Sequence, residues 1–205
     1  MMNTALTTPF DLPVVGSEPR ERADAVRNRA RILSTAERLF AEQGVDCTSM
    51  DAIAAAAGVG KGTLFRRFGD RASLVMSILA EREIAFQEGF IRGAPPLGPG
   101  APPADRLVAF GRALLDHIEA NGEMLLSAET GKAGQRFRSP VYGTYRAHLR
   151  ALVAAGAPEL DTDYTADALL APLGAEIVMH QRRGRGIPLT QLQDGWEAFA
   201  RRVLG

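Results

Sequence analysis

Apolar residues recur along most of the chain at intervals of three and four positions, which is the spacing of an amphipathic helix. The alternation of Val, Ile and Thr with polar residues that marks β-strands is scarce. The pattern therefore predicts an all-α chain of about nine helices. Their predicted ranges are 24–43, 48–57, 60–68, 71–91, 104–120, 122–131, 139–155, 163–183 and 189–204.

Proline and glycine residues mark the expected breaks between these helices. Residues 1–22 contain Pro9, Pro13 and Pro19 and no sustained helical period, so we expect a disordered arm there. The Gly- and Pro-rich segment 93–103 cannot be helical and is expected to be a loop. Since Pro172 lies inside the predicted helix 163–183, that helix should be kinked.

The charge balance of the chain does not by itself indicate a partner. There are 24 Lys and Arg residues against 24 Asp and Glu residues, so the zero net charge gives no direct argument for nucleic-acid binding. A local basic patch is still compatible with this total. It would be balanced by acidic surface elsewhere, for example at Glu81, Glu83 and Glu88.

Several functional classes lack their sequence signatures. The single cysteine, Cys47, permits no intramolecular disulfide, and the three histidines lie far apart in sequence, so no metal site is expected. Because no apolar run approaches the ~20 residues of a membrane span and no secretory signal is visible, we expect a cytoplasmic protein. Without a nucleophile elbow or a phosphate-binding loop, we expect neither an enzyme nor a cofactor.

The segment Ser49–Phe68 has the features of a helix-turn-helix motif. Two short helices that cross steeply need a small residue where their backbones approach, and Ala54 is suitable. The turn needs a residue that tolerates a positive φ, which Gly58 supplies. The apolar residues placed to fill the angle between the helices are Ile53, Ala57, Val59, Leu64 and Phe68.

The second helix of this motif, residues 60–68, is expected to carry a basic outward face. Lys61, Arg66, Arg67 and Arg71 stand against one acidic residue, Asp70, in the segment 61–71. Such a helix in the major groove of DNA can contact phosphates and base edges. Ser49, at the N-terminus of the first helix, is suited to bind a phosphate.

The segment from Arg27 to about Ala80 closely resembles the DNA-binding domain of the TetR family of bacterial transcriptional regulators. The resemblance covers about a quarter of the chain, in the family's order and spacing. It rests on Arg31-Ile32-Leu33, Ala36, Leu39-Phe40, Gly44, Thr48, Ile53-Ala54, Ala57-Gly58-Val59, Lys61-Gly62-Thr63-Leu64-Phe65, Phe68 and Leu74.

The resemblance implies a homodimer that binds a palindromic operator in double-stranded DNA, most often as a repressor, and that a small-molecule effector releases. It implies an arm (1–22), a DNA-binding domain (23–70) and an effector-binding and dimerisation domain (71–205). Two positions depart from the family pattern, since Phe65 stands where Tyr is frequent and Gly60 where Ser or Thr is common. The residues expected at the DNA are Arg27, Thr48, Ser49, Lys61, Gly62, Thr63, Phe65, Arg66, Arg67 and Arg71.

The region after residue 103 matches no specific motif. The apolar faces of helices 163–183 and 189–204 could form a four-helix bundle with a second subunit, through Leu169, Leu173, Ile177, Leu192, Trp196 and Phe199. An effector pocket would lie among the helices between 70 and 155. Its candidate lining residues are Phe86, Phe90, Phe110, Leu114, His117, Met124, Phe137, Tyr142, Tyr145 and His148.

Alternative interpretations remain open. The chain could be an all-helical protein-interaction module, or a regulator without a small-molecule effector. The aromatic residues of the candidate pocket could instead fill a core, and the interface helices could only close the core of one subunit. Cys47 could be a reactive thiol or a bystander.

Overall fold

The computed structural model describes residues 18–129 and 134–205, and within these ranges the chain is helical and contains no strand, which confirms the predicted fold class. The helices are α1 (Glu18–Gln43), α2 (Met50–Ala56), α3 (Lys61–Phe68), α4 (Arg71–Arg92), α5 (Pro103–Glu129), α6 (Gln135–Arg138), α7 (Pro140–Gly156), α8 (Thr162–Leu170), α9 (Ala175–Met179) and α10 (Leu189–Leu204). None of them is long and apolar enough to cross a membrane.

The chain forms two compact units, one up to Leu64 and one from Phe65 onward, so that the boundary falls within α3. In the first unit α1 packs against α2. Helical spacing places Val26, Leu33, Ala36, Leu39 and Phe40 on one side of α1. The last four are buried, but Val26 is 66% exposed. The first turns of α1 therefore contribute little to the core of this unit.

The N-terminal boundary of α1 differs from the sequence prediction. The helix begins at Glu18, so residues 18–22, which we expected in the disordered arm, are helical. Asp24 and Arg27 form an i,i+3 ion pair on this part of the helix, which favours its continuation. The rest of the expected arm, residues 1–17, lies outside the described residues.

The two helices predicted over 104–120 and 122–131 are one continuous helix, α5. Asn121 does not interrupt it, because its side-chain amide donates to the His117 carbonyl at 2.8 Å. Gly122 is needed for packing rather than for a break, since a Cβ at this position would lie 2.3 Å from the sulfur of Met179. The glycine thus permits close approach of α5 and α9.

Helix α5 is the centre of the second unit and contacts α4, α7, α9 and α10. Trp196 of α10 lies against Gly111, and its indole N–H donates to the Leu107 and Val108 carbonyls, each at 3.2 Å. Arg112 forms ion pairs with Asp194 and Glu197 across the same contact.

The helix predicted over 163–183 is broken, which confirms the kink expected at Pro172. A 3-10 turn, Ala171–Leu173, separates α8 from α9, and a π-helical turn, His180–Gly184, follows α9. Proline lacks the N–H that would continue the α-helical ladder. The guanidinium of Arg136 occupies the space beside Gly174, where a Cβ would lie 2.1 Å from Nη1.

Candidate nucleic-acid interface and ligand cavity

The turn between α2 and α3 has the geometry that the sequence predicts. Gly58 has φ of +63°, a left-handed conformation that favours glycine. The Gly58 N–H donates to the Ala55 carbonyl at 3.2 Å, and the Val59 N–H donates to the Ala54 carbonyl at 3.0 Å. This pair of bonds is a Schellman motif, which ends α2 and directs the chain into α3.

The spacing of Thr48 and Asp51 is that of a capping box and predicts Thr48 as the cap of α2. In the structure Ser49 caps this helix instead. The Ser49 hydroxyl accepts a hydrogen bond from the Ala52 N–H at 3.1 Å, and Ser49 is exposed. A phosphate could therefore approach Ser49 and the free N–H groups of this helix end.

Thr48, which we expected at the DNA, does not present its side chain at the surface. Thr48 is fully buried. Its hydroxyl donates toward the carbonyl of Gly44, at 2.8 Å, and lies 3.3 Å from that of Leu39. The hydroxyl thus provides a hydrogen-bond donor at the end of α1, where carbonyl groups lack helical partners.

Helix α3 has one buried side and one exposed side. Leu64 and Phe68 are buried, as predicted. At about 100° per residue, Gly62 and Arg66 lie on the opposite side, and both are exposed. Phe65 is 47% exposed and flanks this side, with Lys61 next to it on the helix surface. Thr63 is half-buried and Arg67 is exposed at the other margin.

The exposed side of α3 is open at Gly62. A Cβ at Gly62 would find no atom within 4 Å, so packing inside the described protein does not require a glycine there. A glycine on an exposed helix lowers helix stability but allows a close approach by another molecule. Lys61 is held by Asp51 of α2 in an exposed ion pair at 2.5 Å.

The remaining predicted DNA contacts lie on α1 and at the start of α4. Arg27 is exposed and paired with Asp24. Arg71 is half-buried at the first position of α4. The preceding residue, Asp70, caps α4 by accepting from the Ser73 N–H at 2.7 Å, and this hydrogen bond lowers the pKa of the Asp70 carboxyl.

The second unit contains a cavity of about 450 Å³. Four of the predicted pocket residues line it, namely Leu114, His117, Tyr142 and Tyr145. Phe86, Phe90, Phe110 and His148 instead stack beside it as an aromatic cluster, with Phe90 and Phe110 fully buried. Met124 is buried, and Phe137 is 65% exposed outside the cavity. The further lining residues include Met76, Leu79, Ile84, Ile118, Leu125 and Val141.

Sequence reasoning missed the two charged residues of this cavity, Glu83 and Arg136. We expected Glu83 at the acidic surface, but only 14% of its side chain is exposed. The signal was present, because Glu83 stands on the apolar stripe of α4 formed by Leu79, Phe86 and Phe90. An acidic residue at such a position indicates a polar feature inside the domain.

The predicted interface residues divide into two groups. Leu169 is fully buried in the core of the subunit, which corrects its assignment to a surface. Leu173 and Trp196 are also buried in this core, but they line a groove on the subunit. Ile177 and Phe199 are 42% and 41% exposed, and Leu192 is half-buried. Leu192 and Phe199 line a shallow groove together with Pro172 and Ile187.

Comparison with known proteins finds similarity in the N-terminal part of the chain. The model of the family described as bacterial regulatory proteins, tetR family, matches residues 32–78. An HTH-type transcriptional regulator of Staphylococcus aureus is 45% identical over 58 residues, which are 28% of this chain and 31% of the relative. The match thus spans about a third of the length of these curated relatives.

Solved structures share the fold over most of the chain. A transcriptional regulator from Saccharomonospora viridis in complex with choline has a TM-score of 0.68 at 18% identity, covering 85% of this chain and 95% of that one. A TetR/AcrR family regulator from Thermobifida fusca has a TM-score of 0.64 at 22% identity, covering 84% and 95%. A regulator of fatty acid degradation from Bacillus halodurans has a TM-score of 0.62 at 19% identity, covering 83% and 96%. Residues 32–78 are thus similar to the tetR family of bacterial regulatory proteins, and most of the chain shares the fold of the solved regulators.

Proposed function

We propose that the protein is a transcriptional regulator that binds double-stranded operator DNA through α3, acts in the bacterial cytoplasm and has no enzymatic activity. The observation that carries this proposal is the exposed side of α3, where Arg66 lies one turn from Gly62, opposite the buried Leu64 and Phe68. An arginine on a helix in the major groove can donate two hydrogen bonds to a guanine edge. Gly62 lets the helix backbone come close to the DNA.

Ser49 and Lys61 are suited to position the helix on the DNA rather than to specify sequence. The exposed N-terminus of α2 at Ser49 offers N–H groups to a phosphate. Lys61 can exchange its surface ion pair with Asp51 for a phosphate, because exposed ion pairs contribute little free energy. In this proposal Arg67, Arg71 and, on α1, Arg27 add positive charge that attracts the DNA phosphates.

The regulator acts as a homodimer in this proposal. The apolar side chains of Ile177, Leu192 and Phe199 remain exposed or half-exposed in the isolated subunit and would be covered by a second copy. A two-fold dimer places two recognition helices on two half-sites, so the operator would be palindromic. Repression follows if the bound dimer excludes RNA polymerase from a promoter.

The cavity of the second unit supports a small-molecule effector. Its volume of about 450 Å³ and its mostly apolar wall are typical of ligand sites. The Saccharomonospora viridis neighbour holds choline in its structure, which agrees with ligand binding in this fold. An effector would release the operator by binding better to the dimer geometry in which the recognition helices no longer match the half-sites.

The proposal is tested by selecting DNA from a random double-stranded pool with the full-length protein at low salt. We expect enrichment of a palindromic sequence and two chains per bound site. Failure to enrich any sequence, with the protein folded by circular dichroism, would contradict the proposal. Enrichment of a site occupied by one chain would contradict only the proposed dimer and not DNA binding.

A further inference from the structure

Glu83 places a carboxylate in the wall of a cavity that is otherwise mostly apolar. One carboxylate oxygen accepts from the Gln87 side-chain amide at 2.7 Å. The other accepts from the Tyr145 hydroxyl at 2.6 Å and lies 3.8 Å from Nε2 of His117. These contacts fix the position of the carboxylate beside the open volume of the cavity.

None of the three groups that contact Glu83 is a cation. The Gln87 amide is uncharged, and burial together with the nearby carboxylate raises the pKa of Tyr145 well above its ordinary value. Burial lowers the pKa of His117 below its usual 6.5, against the opposing effect of Glu83, so the imidazole is neutral at pH 7. A buried negative charge favours a positively charged ligand beside it.

Aromatic rings lie near the carboxylate, which contacts the hydroxyl of Tyr145 directly. Phe86 stacks on His117 at 5.2 Å between ring centroids and meets Tyr145 edge-to-face at 5.6 Å. Tyr142 and Tyr145 both line the cavity. The faces of such rings attract organic cations, and the attraction grows when the site excludes water.

Arg136, the other charged residue of the cavity wall, already has partners for its guanidinium. Its Nη2 donates to the Leu170 carbonyl at 3.0 Å, and the guanidinium lies 5.6 Å from the centre of the Tyr142 ring. Its Nη1 packs beside Gly174. These contacts engage part of the guanidinium, which has five N–H donors in all. An anionic probe therefore tests Arg136 as the alternative binding group.

We propose that this cavity binds an organic cation, with an amine or quaternary ammonium group against Glu83 and an apolar body along Leu79, Leu114, Ile118 and Val141. The role of this ligand as an effector rests on the proposed regulatory function. The binding of the ligand to the cavity does not rest on that function, because it can be measured without DNA.

The test uses isothermal titration of the full-length protein with four probes that share a decyl chain, each below its micellar concentration. The probes are decyltrimethylammonium, decylamine, decanoate and decan-1-ol. We expect both cations to bind roughly tenfold or more tightly than the alcohol, which corresponds to about 1.4 kcal/mol. Tighter binding of decanoate than of the cations, or equal binding of cations and alcohol, overturns the proposal.

Two matched variants locate the effect. Glu83→Gln should reduce the affinity for both cations to that for decan-1-ol and leave the affinity for the alcohol unchanged. Glu88→Gln removes an exposed carboxylate of the same helix and should change neither. Cation binding that survives Glu83→Gln overturns the proposal, and if that variant does not fold, the four-probe comparison on the native chain still decides it. If the native chain binds no DNA in a separate assay, the regulatory function is contradicted, but the result on cation binding is unaffected.

Discussion

Trp196 and Gly111 fit together so closely that no side chain can be added between them. A Cβ at residue 111 would lie 1.9 Å from Cε2 of the indole ring, which is anchored by hydrogen bonds to two carbonyls of α5. The contact joins α10 to the central helix of the second unit.

Gly111→Ala should therefore destabilise the second unit. Overpacking of this kind lowers the free energy of unfolding by about 1–3 kcal/mol, although alanine favours helix. Gly143→Ala on α7 is the matched control, because a Cβ there meets nothing within 4 Å, and it should leave stability equal or higher. Urea unfolding of both variants checks this, and equal stability of Gly111→Ala and the native chain would contradict the packing described.

Gly62→Ala should raise stability and weaken DNA binding. Alanine in place of an exposed helical glycine stabilises by about 0.5–1 kcal/mol, and the added methyl group meets no atom of the described protein. In the DNA complex the same methyl group would hold the α3 backbone away from the groove. Thermal unfolding and gel shift test the two effects, with Gly143→Ala as the control for DNA binding. A variant that binds DNA as tightly as the native chain would show that Gly62 is not at the interface.

Thr48→Val should lower the stability of the fold without removing a contact to a DNA phosphate. It removes the hydroxyl that serves the Gly44 and Leu39 carbonyls at the end of α1, which should lower the free energy of unfolding by about 1–3 kcal/mol. The number of released counterions, read from the salt dependence of DNA affinity, should stay the same. A reduced salt dependence would place Thr48 at the DNA after all.

Acidification should destabilise the second unit through His148. This imidazole stacks with Phe90 at 4.6 Å, and burial together with nearby Arg106 lowers its pKa to about 4. Because folding favours the neutral imidazole, its contribution is fully present above pH 6.5 and is lost as the pH falls toward 4. His117, whose pKa is also lowered, acts in the same direction.

His148→Phe should make stability less sensitive to pH within this window. Urea unfolding at pH 7 and pH 5, at one protein concentration, measures the difference. The native chain should lose more stability between the two pH values than the variant does. An identical loss in both would mean that His148 is not buried as a neutral group.

The features best predicted from the sequence are those that depend on a residue and its near neighbours along the chain. Gly58 could be assigned to a left-handed turn because few other residues tolerate that φ, and the alternation of Leu64 and Phe68 with basic residues defined the two sides of α3. The spacing of Thr48 and Asp51 predicted Thr48 as the cap of α2, but Ser49 caps the helix. Either hydroxyl can cap a helix, and only tertiary packing buries that of Thr48. Glu83 was missed because an acidic side chain was assumed to lie at the surface.

Packing also decided features that periodicity alone leaves open. The helices predicted over 104–120 and 122–131 are one helix, α5, and Gly122 within it packs against Met179. The interface prediction treated one helix as having one role, whereas Leu173 is buried in the subunit core and the nearby Ile177 is exposed.

The central claim, that the exposed side of α3 reads DNA, is tested most directly by the DNA affinity of Arg66→Ala. The comparison uses the selected operator, with Arg92→Ala as a control that removes an exposed arginine at the end of α4. Arg66→Ala should weaken operator binding by about tenfold or more, as expected for a lost base or phosphate contact, without lowering thermal stability. Arg92→Ala should bind as the native chain does. Native affinity in Arg66→Ala would contradict the account.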